Sequence, residues 1–142
     1  MIEPLVVEFD VDASVAHAFD VWTRKCVTWW PTSHTVSGDP AAITFEPLPG
    51  GRIVETGPDG AEHLWGEVLD WEPPGRLRFL WHLFFDRSEA TEVEITFNPR
   101  GDGTVVRLEQ TGWDNLGPAG RPRRDRTGAA WAAITSRYIA AL

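Results

Sequence analysis

Three polar residues could contribute chemistry, because the two-residue period of a β-strand places each of them beside apolar neighbours. They are Glu55, Glu67 and Gln110. A carboxylate in an apolar cavity has a raised pKa and can act as a general acid or base, and a buried Gln needs hydrogen-bond partners. The simpler interpretation of the two carboxylates is exposure to solvent or an ion pair with Arg52 or Arg78.

The neighbouring residues decide which face each carboxylate occupies. Glu55 has the same parity along its strand as Ile53, and Glu67 has the same parity as Trp65 and Leu69. Either carboxylate therefore enters the interior if its apolar neighbours do. The sequence leaves open which face of these two strands points inward. The alternation around Gln110 is clearer, and it predicts an inward side chain.

The remaining candidates for chemistry are the four histidines and the cysteine, which are His17, His34, His63, His82 and Cys26. Their spacing lacks the close ligand pairs of a zinc site, so we expect no metal. His34 follows a Trp-Trp-Pro segment and could guard an entrance, although a surface histidine is the simpler interpretation. We expect His82 on the outside and Cys26 as a small buried hydrophobe. No phosphate loop, nucleophile elbow or nucleotide motif indicates a known enzyme class or a cofactor.

The composition excludes several classes of protein. The chain has 142 residues and a net charge of −8, which fits a single domain over residues 1–142 and argues against a nucleic-acid binder. No apolar run approaches the ~20 residues that cross a bilayer, so we expect no membrane insertion. With one cysteine and no leader-like start, we expect a cytoplasmic protein.

A basic segment interrupts this acidic chain near its C-terminal end. Its members are Arg121, Arg123, Arg124 and Arg126, and they overlap a Gly-, Pro- and Arg-rich segment, Leu116–Arg123, that we expect to be a mobile loop. Charge runs usually lie on a solvated surface, so we expect pairing with the acidic body of the protein. The alternative is contact with an acidic partner or with the acidic group of a ligand.

Hydrophobic periodicity and turn signals predict an α+β domain with an antiparallel meander of seven strands. The predicted strands are Leu5–Val11, Ile43–Glu46, Arg52–Thr56, Glu62–Glu72, Arg76–Phe84, Thr91–Asn98 and Thr104–Gly112. Ser14 is a candidate N-cap for a short helix after strand one, and Cys26–Trp30 is a second short helix. The longest helix, Arg123–Leu142, has one apolar stripe formed by Trp131, Ile134, Tyr138 and Ala141.

Several short phrases sharpen this pattern. They include Trp29-Trp30-Pro31, Gly50-Gly51-Arg52, Trp65-Gly66-Glu67-Val68-Leu69, Trp71-Glu72-Pro73-Pro74 and Gly101-Asp102-Gly103-Thr104. In this order they resemble the START-like superfamily, in its branch of homologues of the activator of heat-shock-protein-90 ATPase. The resemblance covers nearly the whole chain. It implies a helix-grip fold, in which a curved seven-stranded antiparallel sheet wraps a long C-terminal helix and two short helices follow strand one.

The resemblance also implies a hydrophobic tunnel between the sheet and the terminal helix, which in relatives holds lipids, sterols, polyketides or plant hormones. It supplies no invariant catalytic motif and no cofactor. We expect entrances near Thr32–Pro40 and Leu116–Arg123. The large side chains expected beside the tunnel are Trp22, Trp30, Trp65, Trp81, Trp113 and Trp131, although ordinary core is the simpler interpretation of each.

The leading hypothesis is therefore binding of a small hydrophobic molecule, neutral or anionic. One alternative is an enzyme such as a cyclase or dehydratase, with Glu55, Glu67 or His34 as the acid or base. Another is a protein–protein or chaperone-related module in which the Trp residues form an exposed patch. The sequence also leaves a homodimer open.

Overall fold

Segments with alternating apolar and polar residues form a single sheet in the computed structural model, which describes Met1–Leu142. The strands are β1 (Leu5–Val11), β2 (Ala42–Phe45), β3 (Arg52–Thr56), β4 (Glu62–Glu72), β5 (Arg76–Trp81), β6 (Thr91–Arg100) and β7 (Gly103–Thr111). Their spatial order is β1-β7-β6-β5-β4-β3-β2, and every neighbouring pair is antiparallel. The predicted seven-stranded antiparallel sheet is confirmed.

The sheet has an apolar inner face and a charged outer face, as the alternation predicts. On β5, Leu77 and Phe79 are buried. Arg78 lies between them on the opposite face and forms ion pairs with Asp70 (2.6 Å) and Glu92 on the neighbouring strands. Partly exposed pairs of this kind add little stability, but they keep the outer face hydrophilic. The helices therefore pack against the apolar inner face.

A β-bulge in β4 changes which side chains face inward. Ile53 and Val54 are adjacent on β3, but their partners on β4 are two residues apart, so Trp65 is an extra residue between them. Beyond the bulge the alternation changes phase, and Glu67 lies on the outer face, where it contacts Arg87 at 3.2 Å. The prediction that Glu67 shares a face with Trp65 is therefore wrong.

Two α-helices and four 3-10 turns connect the strands. They are α1 (Val15–Thr23), α2 (Gly120–Ala141) and the turns Cys26–Thr28, Thr32–His34, Arg87–Glu89 and Trp113–Ala119. The Ser14 hydroxyl caps α1 as predicted, since it accepts a 3.1 Å hydrogen bond from the His17 N–H. The predicted second short helix is a 3-10 turn that ends before Trp29. No helix of the structure has the length and apolar character that a membrane crossing requires.

Two element boundaries differ from the predictions. β5 ends at Trp81 instead of Phe84, because the chain turns there and Phe84 has a φ angle of 71°, in the left-handed region. α2 begins at Gly120 instead of Arg123. The predicted loop Leu116–Arg123 is therefore a 3-10 turn followed by the first turn of α2.

α2 packs onto the inner face of the sheet through its predicted apolar stripe. Trp131, Ile134 and Tyr138 are buried, whereas Ala141 at the end of the helix is exposed. The Tyr138 hydroxyl donates a 2.7 Å hydrogen bond to the carbonyl oxygen of Ala18, and burial raises the pKa of this phenol. The bond connects α2 directly to α1.

The basic residues at the start of α2 bond mainly to backbone carbonyls, and the only ion pair among them joins Arg124 to the neighbouring Asp125 at 3.6 Å. Arg124 donates to the carbonyl oxygens of Glu3 (2.7 Å) and Pro4 (2.9 Å), and Arg121 donates to that of Met1 (3.5 Å). These bonds fasten the N-terminal segment to α2.

A cluster of aromatic rings occupies the space between α1, α2 and the sheet. The rings belong to Trp22, Trp29, Trp30, Trp65, Trp81, Trp131 and Tyr138, and neighbouring centroids are 4.9 to 6.2 Å apart. Tilted and edge-to-face contacts at these distances are favourable beyond the burial of apolar area. The cluster fills much of the region where the sequence predicted a tunnel.

The close approach of β4 and β5 beside the bulge predicts a strict requirement for glycine at position 66. A methyl group at Gly66 would overlap the backbone carbonyl oxygen of Leu80, whereas one at Gly75 would meet nothing within 4 Å. We expect Gly66→Ala to lower the free energy of unfolding by about 3 kcal/mol or more, and Gly75→Ala to change it by less than about 0.5 kcal/mol. Urea denaturation measures both. Equal stabilities of the two variants would contradict the strand pairing described above.

Candidate functional site

A pocket opens at one end of the aromatic cluster, between α2, the end of β5 and the turn Thr32–His34. Its volume is about 490 Å³, including space that is open to solvent. Eight of its twelve lining residues are hydrophobic, and the polar ones are His34, Gln110, Arg123 and Thr127. A mostly apolar pocket with a few convergent polar groups is typical of sites for small organic molecules.

Three indole rings form the inner wall of this pocket. Trp30, Trp81 and Trp131 lie with their ring centroids 5.8 to 6.1 Å from one another. Trp81 comes from the last position of β5, Trp131 from α2, and Trp30 from the segment after α1. Because all three are tightly packed from behind, they present a rigid aromatic surface to the pocket.

Gln110 is the polar centre of the site, and its side chain faces inward as predicted. It is 1% exposed and lies on β7. Its Oε1 accepts a 2.7 Å hydrogen bond from the Trp131 indole N–H, and its Nε2 donates a 2.8 Å bond to the Thr91 hydroxyl. Its backbone carbonyl accepts the indole N–H of Trp113 at 3.0 Å. Gln110 thereby fixes one wall of the pocket and connects β6, β7 and α2.

Arg123 contributes a positive charge to the pocket lining. It is 5% exposed, and its guanidinium lies 3.5 Å from the centroid of the Phe85 ring. Its Nη1 donates a 2.9 Å hydrogen bond to the backbone carbonyl of Glu89. Burial lowers the pKa of Arg123, an effect that nearby Glu89 opposes and Arg126 reinforces.

The outer part of the pocket combines one histidine with exposed aromatic residues. His34 is half-buried, and its Nδ1 lies 3.1 Å from the Ser33 hydroxyl. Phe84 and Phe85 are 59% and 41% exposed although both line the pocket. His34 and Arg123 come from the two segments that the sequence predicted as entrances.

Glu55 is buried as one prediction had it, but it lies outside the pocket and is an ionised structural group. It is 0% exposed and accepts hydrogen bonds from the backbone N–H groups of Val36 (2.7 Å) and Ser37 (2.8 Å) and from the Trp65 indole (3.1 Å). Burial by itself would raise its pKa, but the hydrogen bonds from Ser37, Val36 and Trp65 outweigh burial and lower it. The predicted raised pKa is wrong, because the sequence did not show these donors.

The other predicted residues surround the pocket without lining it. Trp22 and Trp65 contact its wall through the ring stacks, and Trp113 lies beside Gln110. His82 is buried and not on the outside, with Nδ1 3.3 Å from the Phe85 carbonyl oxygen and Nε2 without a partner. This correction follows from the early end of β5, which turns residue 82 inward.

The remaining titratable candidates also lie outside the pocket. Cys26 is fully buried, and burial raises the pKa of its thiol, as expected for an inert hydrophobe. His17 is exposed on α1, and His63 is half-buried on β4. Nowhere do three or more His, Cys, Asp or Glu side chains come together in a group that could hold a metal ion.

A second pocket, of about 500 Å³, lies between the end of α1, β2 and Trp71. Its one charged side chain is Arg24, which is already paired with Asp20 at 2.7 Å. This pocket therefore offers no unpaired charged group to a ligand.

Sequence reasoning missed Arg123, Thr127, Ala130 and Ile134 as members of the site. Counted from Arg123, the other three and Trp131 lie four, seven, eight and eleven positions further along α2, so the five residues form one helical stripe. The stripe was visible in the sequence. The stripe that we predicted contained only apolar residues from Trp131 onward, so it did not include the polar Arg123 and Thr127 of the preceding turns.

Comparison with known proteins identifies relatives of this fold. The model of the family described as Activator of Hsp90 ATPase homolog 1-like protein matches residues 12–138. Among solved structures, the anthrahydroquino-γ-pyrone synthase Txn09, complexed with SUM, is 35% identical, with a TM-score of 0.61 over 85% of this chain and 84% of that one. No curated protein matches the sequence significantly.

Two more distant structures share the fold alone. Protein MLL2253 from Mesorhizobium loti is 22% identical, with a TM-score of 0.72 over 96% of this chain and 94% of that one. The Aha1 dimer from Colwellia psychrerythraea is 14% identical, with a TM-score of 0.68 over 94% of this chain and 91% of that one.

The environment of Glu55 predicts an acid-sensitive contribution to stability. Because its folded pKa lies below its usual value of 4.5, the carboxylate stabilises the protein above that pH and loses this effect as the pH falls through the folded pKa. We expect Glu55→Gln to lower the free energy of unfolding by about 2 kcal/mol at neutral pH.

The difference between wild type and Glu55→Gln should shrink as the pH is lowered below 4.5. Urea denaturation at a series of pH values measures it. Glu62→Gln is the matched control, since Glu62 is exposed and has only a 3.5 Å ion pair with Arg52. A pH-independent difference for Glu55→Gln would contradict the ionised state of Glu55.

Proposed function

The chain belongs to the Activator of Hsp90 ATPase homolog 1-like family. We propose that it binds a small, hydrophobic, aromatic molecule in the pocket beside α2. The observation that carries the proposal is the wall of three indole rings, Trp30, Trp81 and Trp131. Their packing from behind makes them a preformed surface on which a planar ring system can lie.

The polar lining supports binding of a molecule with oxygen substituents. Gln110 and Arg123 lie in the same pocket, and both carry N–H donors. A few fixed donors in an apolar pocket orient a ligand without supplying most of its binding energy. An aromatic molecule with carbonyl or hydroxyl groups satisfies the indole wall and the donors together.

The relative Txn09 supports the same class of ligand. It is a synthase named for an anthrahydroquinone-γ-pyrone, which is a planar, oxygenated ring system, and it is 35% identical to this chain. A ligand of that kind can pack against the indole rings, whose planes are inclined to one another by 33 to 90°, with its oxygen atoms toward the polar residues of the pocket.

A second candidate function is catalysis on such a molecule, and the same relative favours it because it is a synthase. His34 is the pocket-lining residue whose side chain can serve as a general acid or base, and Gln110 and Arg123 can polarise a carbonyl oxygen. Glu55 and Glu67 do not line the pocket, so His34 remains as the predicted acid or base.

The protein–protein alternative has less support. Seven of the eight Trp residues are at most 7% exposed, so they do not form the exposed patch that this hypothesis needs. A homodimer remains a prediction. β1 and β2 are the two unpaired edges of the sheet, where a second copy could add strands, and a related protein is a dimer. Light scattering of the purified protein measures the mass directly.

Filling the pocket should weaken binding of a neutral aromatic probe. We expect N-phenyl-1-naphthylamine to bind wild type with a rise in fluorescence, and Ala130→Trp, which fills the space beside Trp131, to weaken this binding by about tenfold or more. Ala132→Trp is the control, because residue 132 is exposed and, two positions from Ala130, lies on the opposite side of α2. Equal affinities of the two variants would place the probe elsewhere and contradict the proposed site.

The catalytic candidate makes a separate prediction. We expect wild type to accelerate ring closure of an open-chain precursor of an anthrahydroquinone-fused γ-pyrone, and His34→Ala to reduce the rate by about 100-fold, as for loss of a general acid or base. Product formation is followed by liquid chromatography with mass spectrometry. His63→Ala, outside the pocket, should be unaffected. Binding without any acceleration by wild type would exclude this reaction and leave the binding role.

A further inference from the structure

Arg123 differs from the other arginines because it is buried and has no carboxylate partner. Eight arginines form salt bridges with Asp or Glu, and they are Arg24, Arg52, Arg76, Arg78, Arg87, Arg100, Arg107 and Arg124. No other arginine of the chain is buried. In a chain with a net charge of −8, carboxylates are abundant, yet none pairs with this guanidinium.

The hydrogen bonds of Arg123 are also incomplete. A guanidinium has five N–H donors, and within the protein Arg123 uses Nη1 alone, toward the Glu89 carbonyl at 2.9 Å. A buried charge with few partners is costly, and proteins normally compensate it with an opposite charge or a full set of hydrogen bonds. The remaining N–H donors are not among the buried polar atoms that lack a partner, which are Trp22 Nε1 and His82 Nε2, so they face open space in the pocket and can bond to a ligand.

The stacking of Arg123 on Phe85 determines how that partner can approach. The ring covers one face of the planar guanidinium at 3.5 Å, which leaves the in-plane N–H groups to make further bonds. Two in-plane donors side by side match the two oxygens of a carboxylate. Since Arg123 lines the pocket with Trp131 and Gln110, an anionic oxygen bound there belongs to a molecule whose rings contact the indole wall.

We propose that Arg123 binds the anionic oxygen group, a carboxylate or an ionised phenol, of the aromatic molecule held in the pocket. This inference rests on the proposed function and adds the charge of the ligand to it. The apolar wall selects the ring system, and Arg123 selects acids over neutral compounds of the same shape.

Two fluorescent probes with the same ring skeleton separate the two proposals. 1-Anilinonaphthalene-8-sulfonate carries an anionic group, and N-phenyl-1-naphthylamine is the same molecule without it. We expect Arg123→Gln to weaken binding of the sulfonate by about tenfold or more, the effect typical of losing one charge-assisted hydrogen-bonded pair, and to weaken binding of the neutral probe much less. Arg123→Lys, which keeps the charge, should retain part of the affinity for the sulfonate.

Arg126→Gln is the matched control, because it removes the same charge from an exposed position on the same helix. Its affinity for the sulfonate should equal that of wild type. If Arg123→Gln weakens both probes equally, or if Arg126→Gln weakens the sulfonate as much, Arg123 is not an anion-binding residue. If wild type binds neither probe, the proposed function is itself wrong and the inference about Arg123 falls with it.

Discussion

The burial of seven indole rings is the constraint on which the rest of the structure depends. Each buried indole N–H loses its bond to water and needs an acceptor inside the protein. Five of the seven have one: Trp29 uses the Val21 carbonyl, Trp30 the His34 carbonyl, Trp65 the Glu55 carboxylate, and Trp113 and Trp131 use Gln110. The acceptors come from different parts of the chain, so these bonds fix the orientation of the rings relative to one another. The bond between Trp131 and Gln110 also fixes the position of α2 over the sheet.

The same constraint shapes the pocket. The Trp131 bond to Gln110 holds α2 against β7, and the Trp30 bond to His34 holds the turn Thr32–His34 against the cluster. Both bonds lie at the pocket, which begins where the ring cluster ends. A substitution at Gln110 would therefore leave the indole N–H of Trp131 without its acceptor, whereas Trp113 would keep the backbone carbonyl of residue 110.

Features set by neighbours along the chain could be predicted from the sequence, and features set by distant contacts could not. The bounds of β3 and β4, the inward side chain of Gln110 and the capping role of Ser14 follow from local patterns. The state of Glu55 depends on Val36 and Ser37, which are 19 and 18 residues away. The bulge at Trp65 reverses the side chain of Glu67, and a period of two carries no sign of an inserted residue.

The hydrogen-bond roles of the pocket residues limit which molecules suit the site. The Gln110 side-chain oxygen already accepts a bond from Trp131, and the Arg123 guanidinium carries N–H donors and no acceptor atom, so these two residues offer mainly N–H donors to the pocket. A hydrocarbon would leave these donors desolvated and unpaired, which is more costly than leaving them in water. A ligand with acceptor oxygens at one edge of a flat apolar ring system pairs the donors and covers the indoles at once. The acceptors that the tryptophans need thus determine the polarity of the ligand as well as the packing of the core.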